Sequence, residues 1–261
     1  ESILMQKVLI ITYYWPPAGG PGVQRWLKFV KYLQDYDVEP IVYVPDNPNY
    51  PILDESFIDE IPKNIKIYKH TIKEPYGWAS FLSKKKTKQI SSGMIQQKNQ
   101  SLIEILNKEK IKTVITTGPP HSVHLIGLQL QQKLRVKWVA DFRDPWTTIG
   151  YHKKLKLSAS SKKKHKDLEY LVLNSADSIV VTSTTTKDEF STLTNKPIAV
   201  ITNGFDGAIS EGIDLDAAFT ISHIGSLLTG RNPINLWKAL SELIDTNTAF
   251  KEHLKLQFVG V

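Results

Sequence analysis

The sequence predicts a doubly wound α/β fold, in which helices cover both faces of a parallel β-sheet. Three observations predict it: short apolar runs rich in β-branched residues recur, helical patterns separate them, and several runs are apolar on both faces. Examples of such runs are "VLII", "IVYV" and "SIVV". Strands that are apolar on both faces are typical of parallel sheets buried between two layers of helices. The alternation of strands and helices therefore indicates a Rossmann-like domain.

The order of the elements follows from these patterns. The predicted strands of this domain are Lys7–Tyr13, Pro40–Val44, Ile65–Lys69, Lys112–Thr116, Val136–Ala140, Ser178–Ser183 and Ile198–Thr202. The predicted helices are Val23–Leu33, Leu102–Lys108, Val123–Leu134, Lys166–Leu173 and Thr186–Leu193. Apolar residues at helical spacing support these helices, for example Trp26, Val30 and Leu33 in the first.

A change of pattern after about residue 204 predicts a domain boundary. The stretch "NGFDGAISEGIDLDAAF" is rich in Gly and Asp and has no periodicity, which is typical of a linker. The α/β pattern then restarts with strand Thr220–Gly225, helix Ile234–Ile244 and strand Leu254–Val259. We expect a first domain at residues 1–206, a linker at 207–218 and a second Rossmann-like domain, truncated, at 219–261.

The first strand leads into the stretch "YYWPPAGGPGVQRW", Tyr13–Trp26. A strand, a glycine-rich turn and a helix N-terminus form a common anion site, because glycines let a ligand approach the backbone amides. Arg25, in the first helical turn, can bind a phosphate or a carboxylate through two hydrogen bonds. The alternative is that the prolines and glycines only form a turn and that Arg25 is solvated.

This loop partly matches the dinucleotide fingerprint. Gly20 and Gly22 occupy the first two glycine positions, whereas Arg25 occupies the third. Asp46 follows the next strand, where a ribose-binding acid would lie. The prolines make the loop longer and stiffer than a dinucleotide turn, and the chain has no Tyr-x-x-x-Lys sequence. An NAD(P)-dependent sugar-nucleotide oxidoreductase or epimerase nevertheless stays open as an alternative.

Two further loops follow buried strands, and we expect them at the same edge of the sheet because ligands of open α/β sheets bind there. In "TTGPPHSVHL", His121 lies near a helix N-terminus that disfavours its protonated form, and His124 is expected to pack. In "ADFRDPW", Asp141 and Asp144 can hydrogen-bond sugar hydroxyls, and Trp146 can stack on a sugar ring. The alternative is that Arg143 pairs internally with the two carboxylates.

Composition excludes several classes of function. The chain has 261 residues, no cysteine and a formal net charge of +7, so neither a disulfide framework nor thiolate chemistry is expected. No metal site is predicted, since no His/Asp/Glu cluster has ligand spacing. Neither a membrane-spanning run of about 18 apolar residues nor a signal peptide is visible, which predicts a cytoplasmic protein.

Two lysine-rich stretches suggest a partner, "SKKKTKQ" at Ser83–Gln89 and "HKKLKLSASSKKKHK" at His152–Lys166. They are expected in loops or at the starts of helices. Two interpretations stay open, a solvated face and a contact with an anionic membrane surface. Nucleic acid is not expected as a partner, because the stretches lack interleaved aromatic residues and a known binding motif.

Taken together, the chain resembles glycosyltransferase family 4, whose members use nucleotide sugars and have the two-domain GT-B fold. The resemblance rests on "PPAGGPGVQR", "GPPHS", "LEYLVLNSADSIVVTS", "VITNGFD" and "ISHIGSLLTGRNP". It implies the acceptor-side domain and the opening of the donor-side domain of such an enzyme. It also implies a nucleoside-diphosphate-sugar as donor, a saccharide or lipid-linked acceptor, retention of the anomeric configuration and no required metal or other cofactor. A location at the inner membrane face and a role in polysaccharide biosynthesis would fit it.

The resemblance also implies roles for individual residues. His121 matches a histidine that contacts the transferred sugar, and the loop of Gly19, Gly20, Gly22 and Arg25 matches one that approaches the acceptor and the donor phosphates. Further donor-side matches are Asn203, Gly204, Gly225, Ser226 and Arg231. For the glycosyltransferase hypothesis we assign Asp141, Arg143, Asp144 and Trp146 to positioning of the acceptor.

The chain departs from the family at the diphosphate loop. Ser226 stands where the family has an arginine, and Arg231 stands where it has a lysine. The family's Glu-x7-Glu element is absent, which predicts that this polypeptide alone is inactive and that roughly 100–150 further residues would complete the second domain. A non-catalytic module that binds carbohydrate or membrane is a further alternative.

Overall fold

The computed structural model describes residues 5–72, 100–150, 155, 157–207, 212, 214–227, 230 and 232–260. Backbone contacts divide the chain into two compact units, Glu1–Gly204 and Phe205–Val261. The strands of the first unit are β1 (Gln6–Thr12), β2 (Val38–Pro45), β3 (Lys66–His70), β4 (Thr113–Gly118), β5 (Lys137–Phe142), β6 (Ser178–Val181) and β7 (Ile198–Val200). Its helices are α1 (Pro21–Leu33), α2 (Gln100–Glu109), α3 (His124–Leu134), α4 (Ala159–Ser175) and α5 (Thr184–Ser191).

The seven strands form one parallel sheet in the order β3-β2-β1-β4-β5-β6-β7. β1 lies at its centre, where Ile10 pairs with Val42 of β2 on one side and with Ile115 of β4 on the other. The predicted doubly wound α/β fold is therefore confirmed. The strand order reverses direction between β1 and β4, and this switch point is where ligands of such folds bind.

The core lies on both faces of the sheet, because successive side chains of a strand point to opposite faces. Leu9 and Ile11 of β1 pack with Leu106 and Leu130 on one face. On the other face, Ile10 packs in a separate cluster with helix α1. Two helical layers thus account for the strands that the sequence shows as apolar throughout.

Several element bounds differ from the prediction. β4 and β5 each extend two residues further at their carboxyl ends than predicted, so Asp141 lies within a strand and not in the following loop. Asp141 pairs there with Thr117 of β4 and Val180 of β6. Helix α4 begins seven residues earlier than predicted, since Ser158 caps it by accepting a hydrogen bond from the Ser161 amide at 3.1 Å.

The second unit contains a parallel pair of strands, β8 (Phe219–Ile224) and β9 (Leu254–Val259), with two helices between them in the chain. These helices are α6 (Ile234–Thr246) and α7 (Thr248–His253). The sequence patterns did not predict the short helix α7, which begins where Asn247 accepts a hydrogen bond from the Phe250 amide at 3.0 Å. None of the helices in the described residues combines the length and the apolar character needed to cross a bilayer.

Candidate functional site

The candidate site lies at the carboxyl edge of the first unit's sheet, beside the switch point. Four segments leave the sheet there, the ones that follow β1, β4, β5 and β7. Hydrogen bonds from two arginines, Arg25 and Arg143, tie all four segments together. The side chains that the sequence places in these loops thus belong to one structural cluster, with the second unit's residues considered separately below.

The three glycines of the first loop differ in what a Cβ atom would meet at each position. A Cβ on Gly19 would come within 2.8 Å of Ile52 Cγ2, so Gly19 packs against the segment after β2. Gly20 precedes α1 with φ at +82°, a conformation that side chains disfavour, and nothing lies within 4 Å of its Cβ position. A Cβ on Gly22 would lie 3.2 Å from Arg143 Nη1. Only Gly20 therefore faces open space.

Arg25 is buried and is held by an ion pair with Asp141. Its Nη2 donates to Asp141 Oδ1 at 3.0 Å and its Nε donates to Oδ2 at 3.4 Å. Trp26 Nε1 and Thr117 Oγ1 donate to the same Oδ2 at 2.7 and 2.8 Å. Both charged side chains are 1% exposed. The predicted acceptor contact of Asp141 is thus replaced by a supporting contact, because no oxygen of this carboxylate reaches the surface.

Arg25 also reaches the segment after β7. Its Nη1 donates to the Thr202 carbonyl at 3.2 Å and to Asn203 Oδ1 at 3.1 Å. The guanidinium lies 4.8 Å from the Phe29 ring centre. Arg25 therefore joins α1, β5 and the residues that precede Gly204, and its predicted position on a phosphate is taken up by these protein partners.

Arg143 ties the loops after β1 and β4 together. Its Nε donates to the Gly118 carbonyl at 2.7 Å, its Nη2 to the Pro119 carbonyl at 3.0 Å, and its Nη1 to the Gly22 carbonyl. Burial lowers the pKa of Arg143, and the nearby carboxylates of Asp141 and Asp144 oppose that shift. The sequence left open a pairing of Arg143 with the carboxylates of Asp141 and Asp144. Within the described residues Arg143 makes no hydrogen bond to either carboxylate, because its donors go to the three carbonyls.

His121 lies in a short 3-10 turn, His121–Val123, that precedes α3. Its side chain is 7% exposed. Its ring stacks between other rings, with centroids 5.6 Å from Phe142, 5.5 Å from Trp146 and 5.9 Å from His124. Trp146 is itself 5% exposed, so its predicted stacking surface is occupied by His121 and not open to a sugar.

His124 is fully buried and held neutral. Burial lowers its pKa well below the ordinary value, and the charges of His121 and Arg143 act in the same direction. Its Nδ1 shares a hydrogen bond with Thr116 Oγ1 at 2.9 Å, and that oxygen accepts from Trp138 Nε1 at 2.8 Å. The prediction that His124 packs on the helix agrees with these contacts.

Two residues of the cluster were not among the predicted site residues, although one of them, Gly118, opens the motif "GPPHS". A Cβ on Gly118 would lie 2.7 Å from His121 Nδ1 and 3.0 Å from His124 Nε2, so the two imidazoles occupy the space that glycine leaves. Glu169 of α4 is 4% exposed and accepts hydrogen bonds from the amides of Trp146 and Thr147 at 2.9 and 3.1 Å. Burial raises the pKa of Glu169, and these hydrogen bonds oppose the shift. Glu169 shares a helix face with the buried Val172 and Leu173, but a polar residue does not register in an apolar pattern, so no sequence signal identifies it.

The remaining predicted site residues that the structure describes make few contacts. Asp144 is half-buried and makes no hydrogen bond within the described part of the chain. Gly204 ends the first unit, and a Cβ there would meet nothing within 4 Å. In the second unit, Gly225 has φ at +114° and its amide donates to the Val259 carbonyl at 2.8 Å, with the exposed Ser226 next to it. Arg231 and the lysine stretch at residues 83–89 lie outside the described residues.

The metal-ligating side chains of the described residues do not cluster. In residues 5–72, 100–150 and the later described segments, no three His, Asp or Glu side chains are grouped to hold a metal ion. His121 and His124 are neighbours through their ring faces. The groups that this cluster presents for hydrogen bonding are imidazole, carboxylate and backbone amides.

Comparisons with known proteins find likeness in structure alone. No protein-family model matches the sequence, and no curated protein matches it. A solved structure assigned as a UDP-N-acetylglucosamine 2-epimerase of Listeria monocytogenes is 12% identical with a TM-score of 0.53, covering 97% of this chain. UGT2 of Phytolacca americana, complexed with UDP-2-fluoroglucose and pterostilbene, is 10% identical with a TM-score of 0.55, covering all of this chain and 72% of its own.

These likenesses confirm the predicted class of fold, since both neighbours are GT-B proteins. At such low identity they establish nothing beyond the fold. The chain spans 61% of the length of the Listeria protein. Membership in glycosyltransferase family 4 stays a prediction.

Proposed function

We propose that the protein acts on nucleotide sugars as a retaining glycosyltransferase of the family 4 type, with a saccharide or lipid-linked acceptor. The observation that carries the proposal is the set of four segments locked together at the switch-point edge, with His121, Gly20 and Asp144 among them. Ligands of doubly wound folds bind at this edge. The GT-B fold supports a nucleotide-sugar substrate, because one neighbour is complexed with UDP-2-fluoroglucose.

The start of α1 suits a phosphate group. Pro21 is the first helical residue, no side chain caps the helix, and its first turn contains no acidic residue. Helix amides and the positive end of the helix dipole attract an anion, and the bare backbone at Gly20 lets it approach. Arg25 supports this loop and does not itself bind the phosphate, because its charge is balanced by Asp141. We therefore assign the phosphate contact to the backbone at Gly20 and Gly22.

His121 and Asp144 supply the polar side chains of the proposed sugar contact. His121 is oriented by stacking on Phe142 and Trp146, and the Trp146 loop is fixed in turn by Glu169. The ring is held in place, but both of its nitrogens are buried, so a hydrogen bond to a sugar hydroxyl requires the loops around His121 to open. Once made, such a bond would stabilise charge that develops in the transition state. The half-exposed carboxylate of Asp144 can accept a hydrogen bond from an acceptor hydroxyl. On the donor side, Asn203, Gly225, Ser226 and Arg231 keep the roles that the resemblance gives them.

A sugar-nucleotide 2-epimerase is the second candidate, favoured by the likeness to the Listeria structure. An NAD(P)-dependent enzyme is less favoured, because the third glycine position of the fingerprint holds Arg25, whose side chain fills the space between α1 and β5. A small residue is required there in the dinucleotide fold for close packing of helix and strand. Asp46 is exposed at the end of β2.

The test uses the full-length protein that carries this chain, incubated with UDP-, GDP- and ADP-sugars, with and without saccharide and lipid-linked acceptors. We expect release of nucleoside diphosphate that depends on an acceptor, and a product whose anomeric configuration, read by NMR, equals that of the donor. An Asp46→Ala variant serves as the control and should keep this activity. Conversion of the sugar without an acceptor would identify an epimerase instead. NAD(P) binding that Asp46→Ala abolishes would contradict the transferase proposal.

A further inference from the structure

Helix α4 turns one face to the candidate site and the opposite face to solvent. His165, Glu169, Val172 and Leu173 are buried. Four lysines of the first half of the helix are exposed: Lys162, Lys163, Lys164 and Lys166. We refer to these four residues, which are spread over the whole solvent side of the helix, as the basic face of α4.

The charge of the basic face is largely uncompensated. Lys163 pairs with Asp167 at 2.7 Å, one helical turn further along, and both side chains are exposed. Within the part of the chain that the structure describes, Lys162, Lys164 and Lys166 form no ion pair. Lys162 and Lys166 lie one turn apart on one flank of the solvent side, and Lys164 lies on the other flank. Positive charge without acidic partners on both flanks attracts an anionic surface at close range.

Exposed apolar side chains continue both flanks of this solvent side: Tyr170 follows Lys162 and Lys166, and Leu171 lies seven residues after Lys164. Tyr170 lies four residues after Lys166 and eight after Lys162, so the three share one side of the helix. Tyr170 is 57% exposed, and Leu171 next to it is 43% exposed. Lysines combined with exposed aromatic and aliphatic side chains on one helix face are typical of helices that lie in a membrane interface.

The basic face is firmly joined to the candidate site. Glu169 holds the amides of Trp146 and Thr147, and the His165 ring lies 6.1 Å from the Trp146 ring in an edge-on contact. Trp146 in turn stacks on His121. A surface that binds α4 is therefore held beside the loop after β5.

We propose that the basic face of α4, with Tyr170 and Leu171, is a docking surface for a bilayer that contains anionic lipids. The lysines contact the lipid phosphates, and the two apolar side chains enter the interface. A nucleic acid satisfies the lysines equally well but gives Leu171 no apolar surroundings. This inference rests on the proposed function in one respect, that the acceptor is lipid-linked. The docking surface itself requires no sugar donor.

The experiment is co-sedimentation of the full-length protein with phosphatidylcholine vesicles, with and without phosphatidylglycerol, in the absence of nucleotide sugar. The test variant is Lys162→Glu/Lys164→Glu/Lys166→Glu. The matched control is Lys108→Glu/Lys112→Glu/Lys133→Glu, which makes the same charge change on exposed lysines near the opposite edge of the sheet. All three substituted positions are exposed, and Lys162 is close to the helix N-terminus, where glutamate is favourable. Helix α4 is therefore expected to stay intact, which circular dichroism checks.

We expect binding that requires phosphatidylglycerol and weakens with salt. Each lysine near an anionic surface contributes about a fivefold affinity, so the α4 variant should bind at least about 100-fold more weakly, and the control within about threefold of the unchanged protein. The variant Tyr170→Ser/Leu171→Ser should bind the vesicles more weakly, and its binding should depend on salt as steeply as that of the unchanged protein. Equal losses in both triple variants, or no vesicle binding by the unchanged protein, would overturn the proposal. Tighter binding to single-stranded RNA than to vesicles would also overturn it. Vesicle binding without any donor turnover would refute the proposed function alone.

Discussion

Arg25 and Asp141 lie 116 residues apart in the chain and form a buried ion pair that joins helix α1 to strand β5. Trp26 and Thr117 donate to the same carboxylate, so its lone pairs are satisfied inside the protein. A buried charge left without its partner is costly, whereas the complete pair is neutral as a unit. The pair therefore holds the first and third loops of the candidate site in fixed positions.

The first prediction concerns the stability of this pair. Arg25→Ala leaves Asp141 charged and buried, and we expect it to lower the free energy of unfolding by about 3–5 kcal/mol. Lys163→Ala breaks an exposed pair with Asp167 and should cost less than about 1 kcal/mol. Urea unfolding followed by circular dichroism measures both variants.

The same variants separate the two roles considered for Arg25. If Arg25 contacted a donor phosphate directly, Arg25→Ala would reduce turnover and leave the unfolding midpoint close to that of the unchanged protein. A supporting role predicts a large loss of stability. A difference below about 1 kcal/mol would thus contradict the buried position of the guanidinium.

The second prediction concerns Gly118. A Cβ there would lie 2.7 Å from His121 Nδ1 and would have to displace one imidazole or the backbone. We expect Gly118→Ala to cost about 1–3 kcal/mol in the free energy of unfolding. Gly150→Ala is the matched control, since nothing lies within 4 Å of its Cβ position. Equal thermal unfolding temperatures for the two variants would show that the imidazoles are not packed against Gly118.

The sheet could be predicted from the sequence because its signal is local. Runs such as "VLII" are apolar on both faces, and only a strand between two helical layers buries both. The Arg25–Asp141 pair has no local signal, because its partners lie on α1 and β5, 116 residues apart, and only the assembled sheet brings these two elements together. Asp141 and Arg143 are two residues apart and carry opposite charges, which suggests pairing with each other. The structure gives each a different set of partners.

The start of helix α4 illustrates a different difficulty, because a local pattern exists but lysines obscure it. Its first half is dominated by lysines, which is typical of loops as well as of helices, so the helix was predicted to begin only at Lys166. The buried residues His165, Glu169 and Val172 keep helical spacing, but two of them are polar and do not register as an apolar stripe. His165 and Glu169 both contact Trp146. Their burial depends on the loop that carries Trp146, and the position of that loop is not evident from the sequence.

The third prediction concerns His121 in the proposed reaction. His121→Ala removes the imidazole from the proposed sugar contact, and we expect turnover of the nucleotide sugar to fall about 10²–10³-fold, comparable with the loss of one transition-state hydrogen bond. His253→Ala, in the exposed helix α7, is the control and should leave turnover unchanged. Turnover of His121→Ala equal to that of the control would remove His121 from the site. Circular dichroism verifies that both variants fold.

The fourth prediction concerns the opposite edge of the sheet, where Glu109 accepts hydrogen bonds from Lys66, Tyr68 and Lys7. The hydrogen bond from Lys66 is the main cause that lowers the pKa of Glu109 from 4.5 to about 2. Because the folded-state pKa is the lower one, this carboxylate stabilises the fold above about pH 4.5, and the contribution is lost as the pH falls towards 2.

Urea unfolding between about pH 2 and pH 6 tests this linkage. The unchanged protein should lose stability as the pH falls, and Glu109→Gln should show a shallower loss because the variant cannot take up that proton. At neutral pH, Glu109→Gln should be less stable by about 1–3 kcal/mol, the usual contribution of hydrogen bonds to a charged group. Glu104→Gln, an exposed residue on the same helix, is the matched control. Identical pH slopes for the unchanged protein and Glu109→Gln would mean that the three donors do not favour the ionised form of Glu109.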